Sequence, residues 1–255
     1  AAETDTTRRL SERGRDTPPH ASMLSSCGLV LPVLLLLDAA SAYAPTSDVV
    51  EKTATAAGAD TKSSEILLVN FLGADDSVTH TWRALNDPVM GGRSFGKVTV
   101  ENNVLNFTGV CRIVPSLKAP GFITAQTSDF KSWPDVSGCK GITIKAKANS
   151  DYSGYRISFG RGHPIGGKFF AYGYKSHFAP SVGSFGSVYL PFEQFTDFWD
   201  DATGEPIHTC AENAAYCPDD KTKQNMKTMS IWAEGVEGEV SIEIDSVSGY
   251  SCEAK

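Results

Sequence analysis

From about residue 65 onward, hydrophobic and polar positions alternate in short runs broken by Gly, Pro or Asn. The clearest run is Gly141 to Ala148, where Ile142, Ile144, Ala146 and Ala148 share one face and Thr143, Lys145 and Lys147 the other. That is the period of a strand with one buried side. Lys97–Glu101 and Val104–Thr108 alternate about Asn102-Asn103, and an Asn pair tolerates the positive φ of a two-residue hairpin turn. Ile66–Val69, Gly121–Thr127, Tyr155–Phe159, Lys168–Tyr174, Ser187–Leu190, Thr228–Ala233 and Glu239–Val247 read as further strands, the last with Val240, Ile242 and Ile244 inward. The pattern predicts about ten short strands in an all-β, antiparallel β-sandwich. Phe192–Trp199 is the one helix candidate, with Phe192, Phe195 and Phe198/Trp199 at helical spacing after Pro191.

Composition narrows the function classes. The chain has 255 residues, 23 basic and 30 acidic side chains and a net charge of −7. An acidic balance disfavours a phosphate-binding nucleic-acid protein and a polybasic membrane-surface protein. The longest apolar run, Leu29–Leu37, is interrupted by Pro32 and has the length of a signal-peptide core, well short of the roughly 20 residues that span a bilayer.

The segment before the alternating region reads as an address. Residues 1–22 are Arg-bearing and poor in apolar residues, and read as disordered or as upstream sequence in frame. Residues 23–42 read as a signal peptide opening at Met23, with Ala40 and Ala42 in the small-x-small pattern of a cleavage site. Ala40-Ser41-Ala42-Tyr43-Ala44-Pro45 resembles the cleavage motif of proteins imported into secondary plastids of algae, with Tyr43 in place of the usual Phe. Residues 43–64 then read as a transit-peptide-like linker. The resemblance implies a plastid location, with secretion or a mitochondrial location as alternatives. Residues 65–255 are the expected domain, and the chain after residue 42 keeps 19 basic and 25 acidic residues, so the acidity belongs to that domain.

Trp82–Ser94, and above all Asn86-Asp87-Pro88-Val89-Met90-Gly91-Gly92-Arg93-Ser94, resembles the signature of the complex I intermediate-associated protein family. Phe107-Thr108-Gly109, Gly121-Phe122, Leu190-Pro191-Phe192 with Phe195, and Gly235 with Gly238 follow in similar order. The resemblance implies a galactose-binding-like jelly roll and a non-enzymatic assembly factor or accessory subunit. Its partners would be subunits of a membrane electron-transfer complex, photosynthetic first and respiratory complex I next. It implies no cofactor, metal or catalytic residue. In the Asn86–Ser94 block, Asn86 and Asp87 can cap a turn, Gly91-Gly92 permits close backbone approach, and Arg93 can fork onto a carboxylate, Asp87 being nearest in sequence. The block either plugs one end of the sandwich or meets a partner.

Other signals are weaker. Gly92-Arg93-Ser94-Phe95-Gly96 matches the hydrolase nucleophile elbow, but a strand pattern follows where the elbow needs a helix. Gly160–Gly167 lies between two strand patterns, so no helix N-terminus is at hand for a dinucleotide. Phe170, Tyr172 and Tyr174 alternate and would suit a secreted carbohydrate-binding module, the competing function, or a core. His208, Cys210 and Cys217 lack zinc-knuckle spacing. A Cys210–Cys217 disulfide suits an oxidising compartment better. The expected partner surface joins Asn86, Asp87, Met90 and Arg93 to Phe195 and Trp199 at one end or edge of the sandwich, rimmed by acids. The alternative is that the Phe192–Trp199 aromatics cap the core.

Overall fold

The computed structural model describes residues 64–73, 78–87, 92–114, 119–161, 173–200 and 204–253, and of 113, 114, 119 and 120 the backbone alone. All fall within one compact unit, Gly58–Lys255. The leader, Pro88–Gly91 with Met90, Gly162–Gly167 and the Phe169–Tyr172 aromatics lie outside the described residues.

Two antiparallel sheets face each other. The first contains β3 (Phe95–Glu101), β4 (Val104–Cys111), β8 (Gly141–Ala148), β11 (Gly186–Pro191) and β13 (Gly238–Cys252) in the order β11-β8-β13-β4-β3, with β1 (Ser64–Asn70) paired to the far half of β13. The second contains β2 (Trp82–Asn86), β7 (Phe122–Thr127), β9 (Tyr155–Gly160), β10 (Tyr174–His177) and β12 (Thr228–Glu234) in the order β10-β9-β12-β7-β2. A two-residue ladder joins β5 (Ile113–Val114) and β6 (Ala119–Pro120). The crossovers between sheets make this a jelly-roll β-sandwich.

Period-two sorting explains the core. Ile142, Ile144, Ala146 and Ala148 are at most 2% exposed and meet Ile157, Phe159 and Ile231 of the opposing sheet in one hydrophobic cluster. On β13 a bulge between Ile244 and Ser246 shifts the register, so that Val247 also turns inward after Val240, Ile242 and Ile244. Asn102 and Asn103 take φ of 54° and 63° in the β3–β4 turn, the left-handed pair a two-residue hairpin needs.

One strand was not anticipated and one expectation is corrected. Trp82–Asn86, to which the sequence pattern assigned no element, is the edge strand β2, with Arg83 and Leu85 turned away from Trp82 and Ala84. Phe192–Trp199 is not a helix: a single 3-10 turn, Phe192–Gln194, ends at Phe195, which is extended. Thr196 then pairs with Lys175 of β10, and Trp199 with Pro206. The helical spacing failed because Phe192, Phe195 and Trp199 are buried by an extended segment folding over a sheet edge, while Phe198 faces out. The described α-helix is Asp220–Gln224, α1, with Asp219 as N-cap accepting from Thr222 N–H.

Candidate functional site

The Asn86–Ser94 block connects β2, an edge of the second sheet, to β3, an edge of the first. Asn86, Asp87 and Ser94 turn inward and fasten that junction. Asn86 Oδ1 accepts from Gly96 N–H at 2.8 Å, and Ser94 Oγ accepts from Arg112 N–H at 3.1 Å. Asp87 is 7% exposed. Burial pushes its carboxyl above the ordinary value against the pull of a Phe122 backbone hydrogen bond, and Oδ2 has no hydrogen-bond partner. Gly92 and Gly121 flank that carboxylate so closely that a Cβ on either would collide with it. The expected Arg93 fork onto Asp87 is not formed: Arg93 is exposed and Asp87 is enclosed. Ser94 is a buried turn hydroxyl, and β3 follows it.

Phe195 and Trp199 sit at the other edge of the second sheet, since Thr196 pairs with β10 while Asn86 ends β2. Four strand spacings separate these edges, roughly 19 Å. The two segments therefore do not form one continuous edge. Phe195 is fully buried against Phe159 and Phe192, and Trp199 is 8% exposed. Their apolar area is spent inside the fold, so neither presents a ring to a partner. Phe198, 42% exposed, is the aromatic of this segment that faces out.

Trp199 covers a cluster of charge that sequence inspection missed. Lys175 Nζ lies 4.7 Å from the Trp199 ring and 4.6 Å from the Trp232 ring, and donates to Glu234 Oε1 at 2.6 Å. Arg156, 1% exposed, donates to the Glu234 carbonyl at 2.6 Å and to Glu205 Oε1 at 2.9 Å, while its Nε makes no hydrogen bond and lies 3.7 Å from Glu234 Oε1. Burial and the Arg156 charge hold His177 below the ordinary histidine range, although Glu205 pulls the other way. Two cations and two carboxylates thus neutralise each other under a Trp lid, and cation–π contact stands in for lost hydration. The alternation that turns Arg156 and Lys175 away from the core is visible in sequence, but their meeting depends on the β9–β10–β12 register.

Beyond Trp199 the chain forms a second arm, residues 204–218. Ile207 N–H donates to the Phe198 carbonyl at 2.9 Å, and Thr196 Oγ1 donates to the His208 carbonyl at 2.7 Å. Cys210 and Cys217 are bridged, which removes both thiolates from any zinc set with His208. A second bridge, Cys139–Cys252, ties the segment before β8 to the end of β13. No sequence signal had paired these two. Cys111 is the free cysteine among the described residues.

Against known proteins, the model of the family described as "Complex I intermediate-associated protein 30" matches residues 69–209. No curated protein matches significantly. Among solved structures, the chain is similar to the family 11 carbohydrate-binding module from Clostridium thermocellum in complex with a β-1,3-1,4-mixed-linked tetrasaccharide, at 14% identity and a TM-score of 0.47, covering 72% of this chain and 94% of that one. It is also similar to an agarase, AgWH50C, at 9% identity and a TM-score of 0.43, covering 74% of this chain and 25% of that one. The match over 69–209 takes in both the β2–β3 junction and the Trp199 lid, and the chain belongs to the complex I intermediate-associated protein 30 family.

Proposed function

We propose that this protein is a non-enzymatic binding domain that assists the assembly of, or stays attached to, a membrane-bound electron-transfer complex. A photosynthetic complex in a plastid is the first candidate and respiratory complex I the second. The observation that carries this is the family match over residues 69–209, which spans most of the sandwich. The cleavage-like Ala40–Pro45 motif supports the plastid. In the Asn86–Ser94 block, Asn86 and Asp87 would position the junction from within, and the exposed Arg93 would meet the partner, with Met90 proposed beside it. Phe195 and Trp199 would shape the opposite edge from beneath.

The test is native-gel separation of organelle membranes from cells carrying a tagged chain. Co-migration of the tag with an electron-transfer complex or its assembly intermediate is expected. Retention on immobilised β-glucans, with no co-migration, would overturn the proposal in favour of the carbohydrate-binding module.

A further inference from the structure

Phe198, His208 and Tyr216 form a three-ring platform on the two arms that flank Trp199. Their planes lie within 5–12° of parallel and their centroids are 5.2–5.5 Å apart. Phe198 is 42% exposed, and the His208 side chain 49%. None of these rings belongs to the core cluster. The platform is held before any ligand arrives: Ile207 N–H and Thr196 Oγ1 tie the arms together, and the Cys210–Cys217 bridge anchors the loop carrying Tyr216. A preformed aromatic surface loses little entropy on binding.

Two acids stand beside it, Asp197 and Glu212. Residues 191–220 hold eight carboxylates and no Lys or Arg, but Glu205 is paired with Arg156, Asp220 with Lys223, and Arg161 acts on Asp219, so the platform's own acids are Asp197, next to Phe198, and Glu212. Burial and the neighbouring Asp219 charge push the Asp197 carboxyl, next to Phe198, above its ordinary value. Glu212 faces the platform through His208, 3.5 Å away.

We propose that this platform is a docking surface for an arginine-bearing segment of the partner protein. A guanidinium is flat enough to stack on the rings and charged enough to draw on the acids, which a neutral sugar is not. A lysine ammonium would gain the charge without the stacking area. This deepens the proposed function and rests on it, because it names where and by what chemistry the partner is held.

The test uses the full chain and the peptide acetyl-Gly-Arg-Gly-Arg-Gly-amide, with Lys- and Ala-substituted versions as controls. The Arg peptide is expected to shift the NMR signals of the Phe198, His208 and Tyr216 rings, and to bind more tightly than the Lys peptide. Affinity should weaken about 3- to 5-fold in Phe198→Ala/Tyr216→Ala. Asp197→Asn/Glu212→Gln, which keeps the rings, should also weaken binding and flatten its salt dependence. Unmoved ring signals, unchanged affinity in both variants, or a β-glucan oligosaccharide shifting the same rings in place of the peptide would each overturn the inference. Native gels separate its failure from that of the broader proposal. If wild type and both variants co-migrate with the complex equally, the platform is wrong and the family role stands. If wild type itself does not co-migrate, the family role fails.

Discussion

Lys175 donates to Glu234 Oε1 at 2.6 Å, and the two side chains are only 3% and 10% exposed. A pair that enclosed is asymmetric in its energetics. Both ions together offset their desolvation, whereas Lys175 without Glu234 is a buried cation with no carboxylate in contact. Glu234→Ala should therefore cost about 3–5 kcal/mol, the range for breaking a buried pair. Lys175→Met/Glu234→Leu should recover most of that loss, since apolar side chains of similar volume suit the Trp199–Trp232 slot. Urea denaturation of the two single variants and the double variant measures this. A double variant no more stable than Glu234→Ala would show that the pair is not the source of the loss.

Gly121 and Asp87 are coupled by space. A Cβ at Gly121 would collide with Asp87 Oδ2 and lie 2.6 Å from Ser94 Oγ. Gly121→Ala should destabilise by about 1–3 kcal/mol through overpacking. Asp87→Ala/Gly121→Ala should be less unstable than the sum of its parts, because the shortened side chain vacates the space the methyl needs. Strict additivity in the thermal unfolding of the four proteins would mean that the glycine serves some purpose other than accommodating the carboxylate.

Cys111 is fully buried, its Sγ donates to the Ala233 carbonyl at 2.9 Å, and burial pushes its thiol from 9.0 up to about 11. Native protein at pH 8 should therefore resist alkylation by iodoacetamide at Cys111 and react only after unfolding. The sign of the alkaline effect follows. Between pH 9 and 11 the unfolded chain loses this proton and the folded chain keeps it, so stability falls as pH rises through that window. Cys111→Ala should make this alkaline fall shallower. Rapid native alkylation at pH 8 would contradict the enclosure.

The strands were legible because one face of each is buried. Gly141–Ala148 and the Asn102-Asn103 hairpin follow from period two and from positive φ at Asn, both local properties. The 192–199 segment was misread because helical spacing of Phe192, Phe195 and Phe198/Trp199 also arises when an extended segment wraps a sheet edge. Burial of Trp199 depends on Lys175 and Arg156, which lie far away in sequence. The charged cluster and the Cys139–Cys252 bridge are likewise products of register, which no single stretch encodes.

The two disulfides should differ in what they stabilise. Cys139–Cys252 spans a sequence separation of 113, and Cys210–Cys217 one of 7. In the chain-entropy model the long closure contributes about 5 kcal/mol and the short one about 2.5 kcal/mol, because the unfolded chain loses more freedom when distant residues are joined. Their positions sharpen the contrast. Cys252 ends β13, the strand that pairs with β1, β4 and β8 in the first sheet, so loosening it loosens the fold as a whole. Cys210–Cys217 closes a surface loop outside the core cluster, and its loss should release the Tyr216 arm while the sandwich persists. Cys139→Ser/Cys252→Ser is therefore expected to lower the urea midpoint of the whole domain. Cys210→Ser/Cys217→Ser should lower it less and should instead raise hydrogen exchange over residues 207–218. Equal losses of midpoint, or unchanged exchange over 207–218, would show that the short bridge does not govern that loop.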